Sequence, residues 1–186
     1  ALAARLVLRP RVLLLDEPFA NLDKNLKAET AAFIRRTQKQ FNTVTIAVMH
    51  DQEEAFCMSD RIGVIMDGEL LHLDRVDQIL DTPVNMKEAA FLGTVNPISP
   101  GAFPLVKIGE IPDTIHSYYF RSDWASMEQD PKGVWEIHEI IFFGSHIQYD
   151  IRNHDIKFMI TSLDTRLQKG DKVNLTIHRI LKQGGH

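Results

Sequence analysis

The chain contains two short runs dominated by apolar residues, at positions 12–15 and 44–49. Runs of this kind are typical of strands that are buried on both faces, as in a parallel sheet. Between them, residues 24–40 repeat their apolar side chains at helical spacing, which predicts an amphipathic helix. A second helix is expected over residues 51–58, which begin with a capping-box-like pattern. The order strand, helix, strand, helix predicts an α/β fold with a parallel sheet.

A hairpin and two short helices are expected next along the chain. The dipeptide Asp67-Gly68 separates two apolar segments, residues 61–66 and 69–73. Because Asp-Gly favours positive φ angles at both positions, it predicts a two-residue hairpin with a type I′ turn. The short helices are predicted at residues 76–80 and 86–92.

The second half of the chain has a different pattern. Glycine and proline crowd into positions 93–104, which predicts a linker between a first domain, residues 1–92, and a second domain, residues 105–186. In the second domain, apolar residues alternate with polar ones in three groups: Ile147, Tyr149 and Ile151; Ile156, Phe158 and Ile160; Val173, Leu175 and Ile177. This period of two, with short turns, predicts a small all-β domain, either a barrel or a sandwich.

Composition argues against several classes of function. The 186 residues carry a net charge of -4, so the chain has no basic footprint for nucleic acid. No apolar run approaches the roughly 18 residues of a membrane span. The single cysteine, Cys57, cannot form an internal disulfide, and its apolar neighbours predict a buried position. Residues 1–8 resemble the interior of a helix and lack a starting Met, so we expect the chain to be a fragment.

Two adjacent carboxylates, Asp16 and Glu17, follow the first apolar run directly. In open α/β sheets, ligands bind at the carboxyl ends of the strands. One carboxylate there can hold Mg²⁺ together with waters and nucleotide phosphates. Its neighbour, on the other side of the strand, can orient or deprotonate an attacking water. The alternative, that both acids only solvate a strand end, stays open on these two residues alone.

Two further polar residues follow the predicted strands at informative positions. His50 ends the second run, so in a parallel sheet it would emerge at the same edge as Asp16. Its imidazole can hydrogen-bond a phosphate or an attacking water, or it can simply cap the next helix. Asp23 has the position of a helix N-cap. Neither residue defines a function by itself.

The joint pattern of residues 12–18, 21–23 and 50–55 closely resembles the ATPase family of ABC transporters. The order and spacing are those of the family's Walker B strand, D-loop and switch histidine. Residues 1–92 therefore look like the C-terminal part of the nucleotide-binding domain, which is a P-loop NTPase fold. Residues 91–96 are similar to the segment that closes this domain in importers of oligosaccharides, polyamines, ferric iron and oxyanions.

The resemblance implies a role for each matched residue. Asp16 would coordinate Mg²⁺, mostly through water. Glu17 would be the general base for ATP hydrolysis, and His50 would contact the γ-phosphate and position the water. In the family, the D-loop lies at the interface of a head-to-tail ATPase dimer, and here it would comprise Asn21, Leu22 and Asp23.

The resemblance also implies partners and a location. The chain would work with a second copy of the ATPase subunit, beneath transmembrane permease subunits, and indirectly with a substrate-binding protein. It would be cytoplasmic and peripheral, at the inner face of the cell membrane, where ATP hydrolysis is coupled to solute uptake. No nucleic-acid partner is expected.

The second domain resembles the TOBE domain, an OB-like β-domain that is appended to these ATPases. Residues 142–149 and 169–173 are similar to elements of that domain. Residues 119–123 are similar to its Arg-Pro-Glu segment, from which Ser122 and Asp123 depart. The resemblance implies a structural or regulatory role for residues 105–186.

Two family motifs are missing from the sequence. The P-loop pattern is imitated by Gly63 and Gly68, but Glu69 stands where the pattern requires Lys, and its charge would repel phosphate. The Leu-Ser-Gly-Gly-Gln signature is also absent. We therefore expect the chain alone to be inactive. The alternative function is a binding or regulatory module that carries a TOBE domain and a non-catalytic ATPase remnant.

Overall fold

The computed structural model describes residues 10–20, 22–109 and 116–182, which form two compact units divided between Thr82 and Pro83. The predicted helix over residues 1–8 lies outside the described residues. Each unit is considered separately below.

The first unit is built around a pair of parallel strands. Strands β1 (Val12–Asp16) and β2 (Val44–Val48) pair in parallel, with Asp16 opposite Val48. Helix α1 (Lys24–Phe41) connects them. The predicted strand, helix and strand are therefore confirmed. The residues buried between the sheet and the helices of this unit are Leu13, Leu15, Phe19, Ala31, Ile34 and Met58.

The opposite face of this sheet is exposed, so the prediction that both strands are buried on both faces is wrong for the described residues. Leu14 is 67% exposed, and Val44, Ile46 and Val48 are each about 60% exposed. Strand side chains alternate between faces, and α1 covers one face. A continuous apolar run is typical of a strand that is covered on both faces. The element that covers the second face, however, has to come from another part of the structure.

The rest of the first unit matches the sequence pattern closely. Helix α2 spans Gln52–Met58, strand β3 spans Arg61–Met66, strand β4 spans Glu69–Arg75 and helix α3 spans Val76–Asp81. The β3 and β4 strands form the predicted antiparallel hairpin. Asp67 and Gly68 have φ angles of 53° and 83°, as a type I′ turn requires. The segment from Gly63 to Gly68, which resembles a P-loop in its glycine spacing, is therefore part of a hairpin and not a strand-to-helix loop.

Cys57 is exposed, and the prediction that it is buried is wrong. The next residue, Met58, takes the buried position of α2 instead, at 5% exposure. A seven-residue helix has one narrow buried stripe, and an apolar neighbourhood in sequence does not tell which residue occupies it.

The second unit consists mainly of β-strands. Helix α4 (Met86–Leu92) precedes them. The described strands are β5 (Val95–Ile98), β6 (Val106–Ile108), β7 (Tyr118–Arg121), β8 (Ala125–Gln129), β9 (Trp135–Phe142), β10 (Ile147–Asn153), β11 (Ile156–Ser162), β12 (Lys172–Ile177) and β13 (Leu181–Lys182). The larger sheet has the order β11-β10-β9-β12-β6, with β8 also paired to β12, and the smaller sheet has the order β13-β7-β5. The three predicted alternating segments are confirmed as β10, β11 and β12, whereas the OB-like assignment stays a prediction.

Residues 93–104, which we expected to be a linker, are part of the second unit. They contain β5 and a 3₁₀ helix at Pro100–Leu105. Pro97 is tolerated because β5 is an edge strand, where a missing N–H breaks no ladder. Asn96 is 3% exposed and is bound on both sides of its amide: Nδ2 donates to the Met159 carbonyl at 2.9 Å, and Oδ1 accepts from the Met159 N–H at 2.7 Å. The crowding of glycine and proline therefore marks an edge strand and turns in this segment.

The core of the second unit is formed by inward-facing aromatic and aliphatic side chains. Trp135, Tyr149 and Phe158 are fully buried, and the Trp135 and Phe158 rings lie 4.9 Å apart. Trp135 donates its Nε1–H to the Leu105 carbonyl at 2.8 Å, which satisfies the one polar atom of the indole.

Gly133 is required by close packing. An added Cβ at this position would lie 2.5–2.7 Å from backbone atoms of Val173 on β12. We predict that Gly133→Ala lowers the free energy of unfolding by roughly 1–3 kcal/mol, because the strand has to shift. The measurement is urea denaturation, with Gly109→Ala as the matched control, since a Cβ at Gly109 meets no atom of the described residues within 4 Å. Equal denaturation midpoints for the two variants would contradict the close packing.

Candidate functional site

The candidate site lies at the carboxyl ends of β1 and β2. Because the strands are parallel and Asp16 pairs with Val48, the residues that follow each strand emerge at one edge. The N–H of Glu17 donates to the Val48 carbonyl at 2.9 Å, which extends the pairing one residue beyond β1. The expectation that Asp16, Glu17 and His50 meet at one edge therefore agrees with the described backbone.

Glu17 and His50 face each other across this edge. His50 Nδ1 and Glu17 Oε1 are 3.5 Å apart, and the two side chains are 70% and 52% exposed. At that distance and exposure the contact stabilises the fold little, since exposed ion pairs contribute between zero and about 1 kcal/mol. The arrangement leaves a carboxylate and an imidazole within reach of the same water molecule.

Glu17 has an unusual backbone conformation. Its φ angle is 40°, in the left-handed region that side chains other than glycine rarely adopt. The surrounding turn holds it there: the Ala20 N–H donates to the Glu17 carbonyl at 3.1 Å, and the Phe19 side chain is buried at 1% exposure. Such a conformation costs of order 1–3 kcal/mol and is characteristic of functional sites. The sequence pattern had not predicted it.

Asp16 is available to a ligand from solution. Its side chain is exposed, and no described residue forms a hydrogen bond or an ion pair with its carboxylate. Within the described ranges no group of three or more His, Cys, Asp or Glu side chains is placed to hold a metal ion. A single exposed carboxylate at a strand end, such as that of Asp16, is a donor that Mg²⁺ can use when waters and phosphates supply the other ligands.

The turn after Glu17 leads into the start of α1. Asn21 lies outside the described residues. Leu22 packs against the core of the first unit, and its N–H donates to the Phe19 carbonyl at 3.1 Å. Asp23 is the N-cap of α1: its Oδ1 accepts the N–H groups of Asn25 at 3.1 Å and Leu26 at 3.0 Å. The position of Asp23 as a helix N-cap, which the sequence suggested, is thus confirmed. Its role at a subunit interface stays a prediction.

A second cap and an ion pair hold α2 beside this edge. Asp51 accepts the Glu54 N–H at 3.3 Å, as the capping pattern predicts. The Glu54 carboxylate points elsewhere, to Lys27 Nζ of α1 at 2.7 Å, and this bond raises the pKa of Lys27. Sequence reasoning missed this ion pair, because Lys27 and Glu54 are distant in sequence and form no local motif. A cavity of about 670 Å³ borders the pair and also reaches His50.

The chain is homologous to the ATP-binding subunits of ABC importers, and the similarity extends over as much as 95% of its length. A spermidine/putrescine import ATP-binding protein of Spiroplasma citri is 33% identical, over 95% of this chain and 55% of the relative. An Fe(3+) ions import ATP-binding protein of Fusobacterium nucleatum is 46% identical over 52% of this chain and 26% of the relative. A glucose import ATP-binding protein of Saccharolobus solfataricus is 35% identical over 52% of this chain and 27% of the relative.

The similarity covers only a part of each relative. The chain spans between about a quarter and about half of the length of these curated proteins. No family model matches it. In the part of the chain that the structure describes, no helix combines the length and the apolar character needed to cross a membrane.

The N-cap of α1 gives a direct test of the local geometry. We predict that Asp23→Ala lowers the free energy of unfolding by about 1 kcal/mol, because two N–H groups lose their acceptor. Asp23→Asn is the matched control, since its side-chain oxygen caps about as well. The measurement is urea denaturation followed by far-ultraviolet circular dichroism. An alanine variant as stable as the asparagine variant would show that the cap does not hold the helix end.

Proposed function

We propose that this chain supplies the Walker B, D-loop and switch-histidine part of an ATP-hydrolysing subunit of an ABC importer. The observation that carries the proposal is the approach of His50 to Glu17 at the carboxyl edge of two parallel strands, 3.5 Å between nitrogen and oxygen. An exposed carboxylate beside an imidazole is the pair of groups that can orient a water and accept its proton.

Each side chain at this edge has one role in the proposal. Glu17 accepts the proton of the attacking water, and its fixed backbone turn holds the carboxylate beyond the end of β1. His50 hydrogen-bonds the γ-phosphate and positions the same water. Asp16 would hold Mg²⁺ through water, and the charge neutralisation that such an ion supplies would act on the phosphate oxygens. Phosphoryl transfer depends mainly on such positioning and charge stabilisation.

We also propose partners and a cellular location for the chain. A second copy of the ATPase subunit approaches head to tail, with Asn21, Leu22 and Asp23 at the interface between the two. Transmembrane permease subunits bind the pair from above, and a substrate-binding protein acts through them. The chain therefore works in the cytoplasm at the inner face of the membrane. Residues 105–186 serve as a TOBE-like structural or regulatory domain.

The first test uses the 186-residue chain alone. Its sequence contains no Gly-x-x-x-x-Gly-Lys-Ser/Thr pattern, so it lacks the backbone cradle and the lysine that bind the outer phosphates. We predict that the isolated chain neither hydrolyses ATP nor binds it tightly. Phosphate release is measured with ATP and Mg²⁺ in excess. Turnover above that of a Glu17→Gln control would overturn this prediction.

The second test supplies the missing half of the site. The matched region of the Spiroplasma citri relative is replaced with residues of this chain, so that the relative contributes the rest of the protein. We predict that Glu17→Gln in this chimera lowers the rate of ATP hydrolysis by a factor of about 10²–10⁴, the usual contribution of a general base. Nucleotide binding should be retained, because the amide keeps the size of the carboxylate. ATPase rate and nucleotide affinity are measured on the same preparation.

Glu53→Gln is the matched control for this test, since Glu53 is an exposed carboxylate of α2 near the same edge. It should leave the rate unchanged. An unmodified chimera that folds and binds ATP without hydrolysing it would favour the alternative function, a regulatory or binding module with a non-catalytic ATPase remnant. Normal hydrolysis by the Glu17→Gln chimera would refute the role of Glu17 as general base.

A further inference from the structure

Helix α1 holds helix α2 at the end that lies away from His50. Met58, in the last turn of α2, is buried in the core of the first unit. Arg35 of α1 donates from Nη1 to the carbonyl of Met58 at 2.9 Å and to that of Ser59 at 3.2 Å. These bonds satisfy carbonyls that the end of a helix leaves without an intrahelical partner. The C-terminal end of α2 is therefore fixed by packing and by hydrogen bonds.

The first turn of α2 borders open space instead. A cavity of about 670 Å³ is lined by Lys27, Ala28 and Ala31 of α1 and by residues 50–54. Lys27 Nζ and Glu54 Oε1 are 2.7 Å apart at this cavity, and their side chains are 30% and 12% exposed. Solvent screens a partly buried pair less than an exposed one. This ion pair therefore ties the first turn of α2 to the first turn of α1.

His50 lies between a fixed point and this ion pair. The preceding residue, Met49, packs against the core of the first unit. The following residue, Asp51, caps α2 by accepting the Glu54 N–H at 3.3 Å. Glu54 thus binds the cap through its backbone and Lys27 through its carboxylate. A displacement of the first turn of α2 would move Asp51, and the adjacent imidazole would move with it.

The contact between His50 and Glu17 is too weak to hold the imidazole by itself. The two side chains are 70% and 52% exposed, and Nδ1 and Oε1 are 3.5 Å apart. Exposed ion pairs of this kind contribute little to stability. The position of the ring is therefore set by the backbone on either side of it, which is β2 on one side and α2 on the other.

We propose that Lys27 and Glu54 are positioning residues for His50. Their ion pair fixes the first turn of α2 and keeps the imidazole beside the carboxylate of Glu17, where both groups reach the same water. This inference rests on the proposed function, because it assigns the pair to the same site. Neither Lys27 nor Glu54 is given a contact with the nucleotide or with the water.

The first test follows the ring signals of His50 in ¹H–¹³C nuclear magnetic resonance spectra of the 186-residue chain, assigned with His50→Gln. Glu17→Gln removes a charge 3.5 Å from the ring nitrogen and should shift these signals. In a chain that also carries Lys27→Met, most of this response should be lost, because the ring is no longer held beside residue 17. Lys27→Arg should restore the response, since a guanidinium reaches the same carboxylate.

Two matched controls remove a charge near the ion pair but not from it. Lys39→Met changes an exposed lysine of α1, and Glu53→Gln changes the exposed carboxylate beside Glu54. Both controls should keep the full response of His50 to Glu17→Gln, and a loss as large as that in Lys27→Met would overturn the proposal.

A second variant keeps the test decisive if Lys27→Met fails to fold, which far-ultraviolet circular dichroism detects. Glu54→Gln keeps the backbone N–H that Asp51 accepts and removes the charge that pairs with Lys27, so it should also lose most of the response. An undiminished response in the folded Lys27→Met or Glu54→Gln chain would overturn the proposal. So would the absence of any response to Glu17→Gln in the otherwise unmodified chain.

The second test uses the chimera with the Spiroplasma citri relative. Lys27→Met should lower kcat for ATP hydrolysis by a factor of about ten and change KM for ATP less, because a misplaced group raises the barrier of the chemical step. Lys27→Arg should restore kcat, and Glu53→Gln should leave it unchanged. A chimera that does not hydrolyse ATP would refute the proposed function, and the ring signals would still decide the positioning of His50. An unchanged kcat in Lys27→Met would refute the positioning role alone.

Discussion

The parallel pairing of β1 with β2 is the constraint on which the first unit depends. Its register places Asp16 opposite Val48, and the hydrogen bond from Glu17 N–H to the Val48 carbonyl continues the ladder into the turn. A register shifted by one residue would move every side chain of one strand to the other face. The approach of His50 to Glu17 and the burial of Leu13 and Leu15 are thus fixed by the same ladder.

Two helix caps and an ion pair hold the helices that follow β1 and β2. Asp23 and Asp51 each satisfy N–H groups at the start of a helix, and the Lys27–Glu54 ion pair joins those two helices. The positive φ of Glu17 is held by the turn that follows it, in which the Ala20 N–H donates to the Glu17 carbonyl. In the second unit, buried polar groups have a similar role, because Asn96 binds an edge strand to the backbone of β11.

The sequence predicted those features that depend on neighbouring residues. The periodicity of apolar residues and the turn residues predicted β1, α1, β2 and the hairpin at Asp67-Gly68. The motif spacing of the ABC ATPase family identified Asp16, Glu17 and His50 as candidate site residues. Features that depend on distant residues were missed. The one-sided burial of β1 depends on which layers cover the sheet, and the exposure of Cys57 depends on the direction of a short helix. The two bonds of Asn96 to the backbone of Met159 join strands that are distant in sequence, which no local pattern encodes.

The exposed face of the first sheet has a consequence for the chain in solution. Leu14, Val44, Ile46 and Val48 present neighbouring apolar side chains on adjacent strands, at 59–67% exposure. Salts that are excluded from protein surfaces, such as sulfate, increase the free-energy cost of wet apolar area. The first unit should therefore be more easily salted out than a unit of equal size with both sheet faces covered, and mutation of this face to polar residues should reverse that sensitivity.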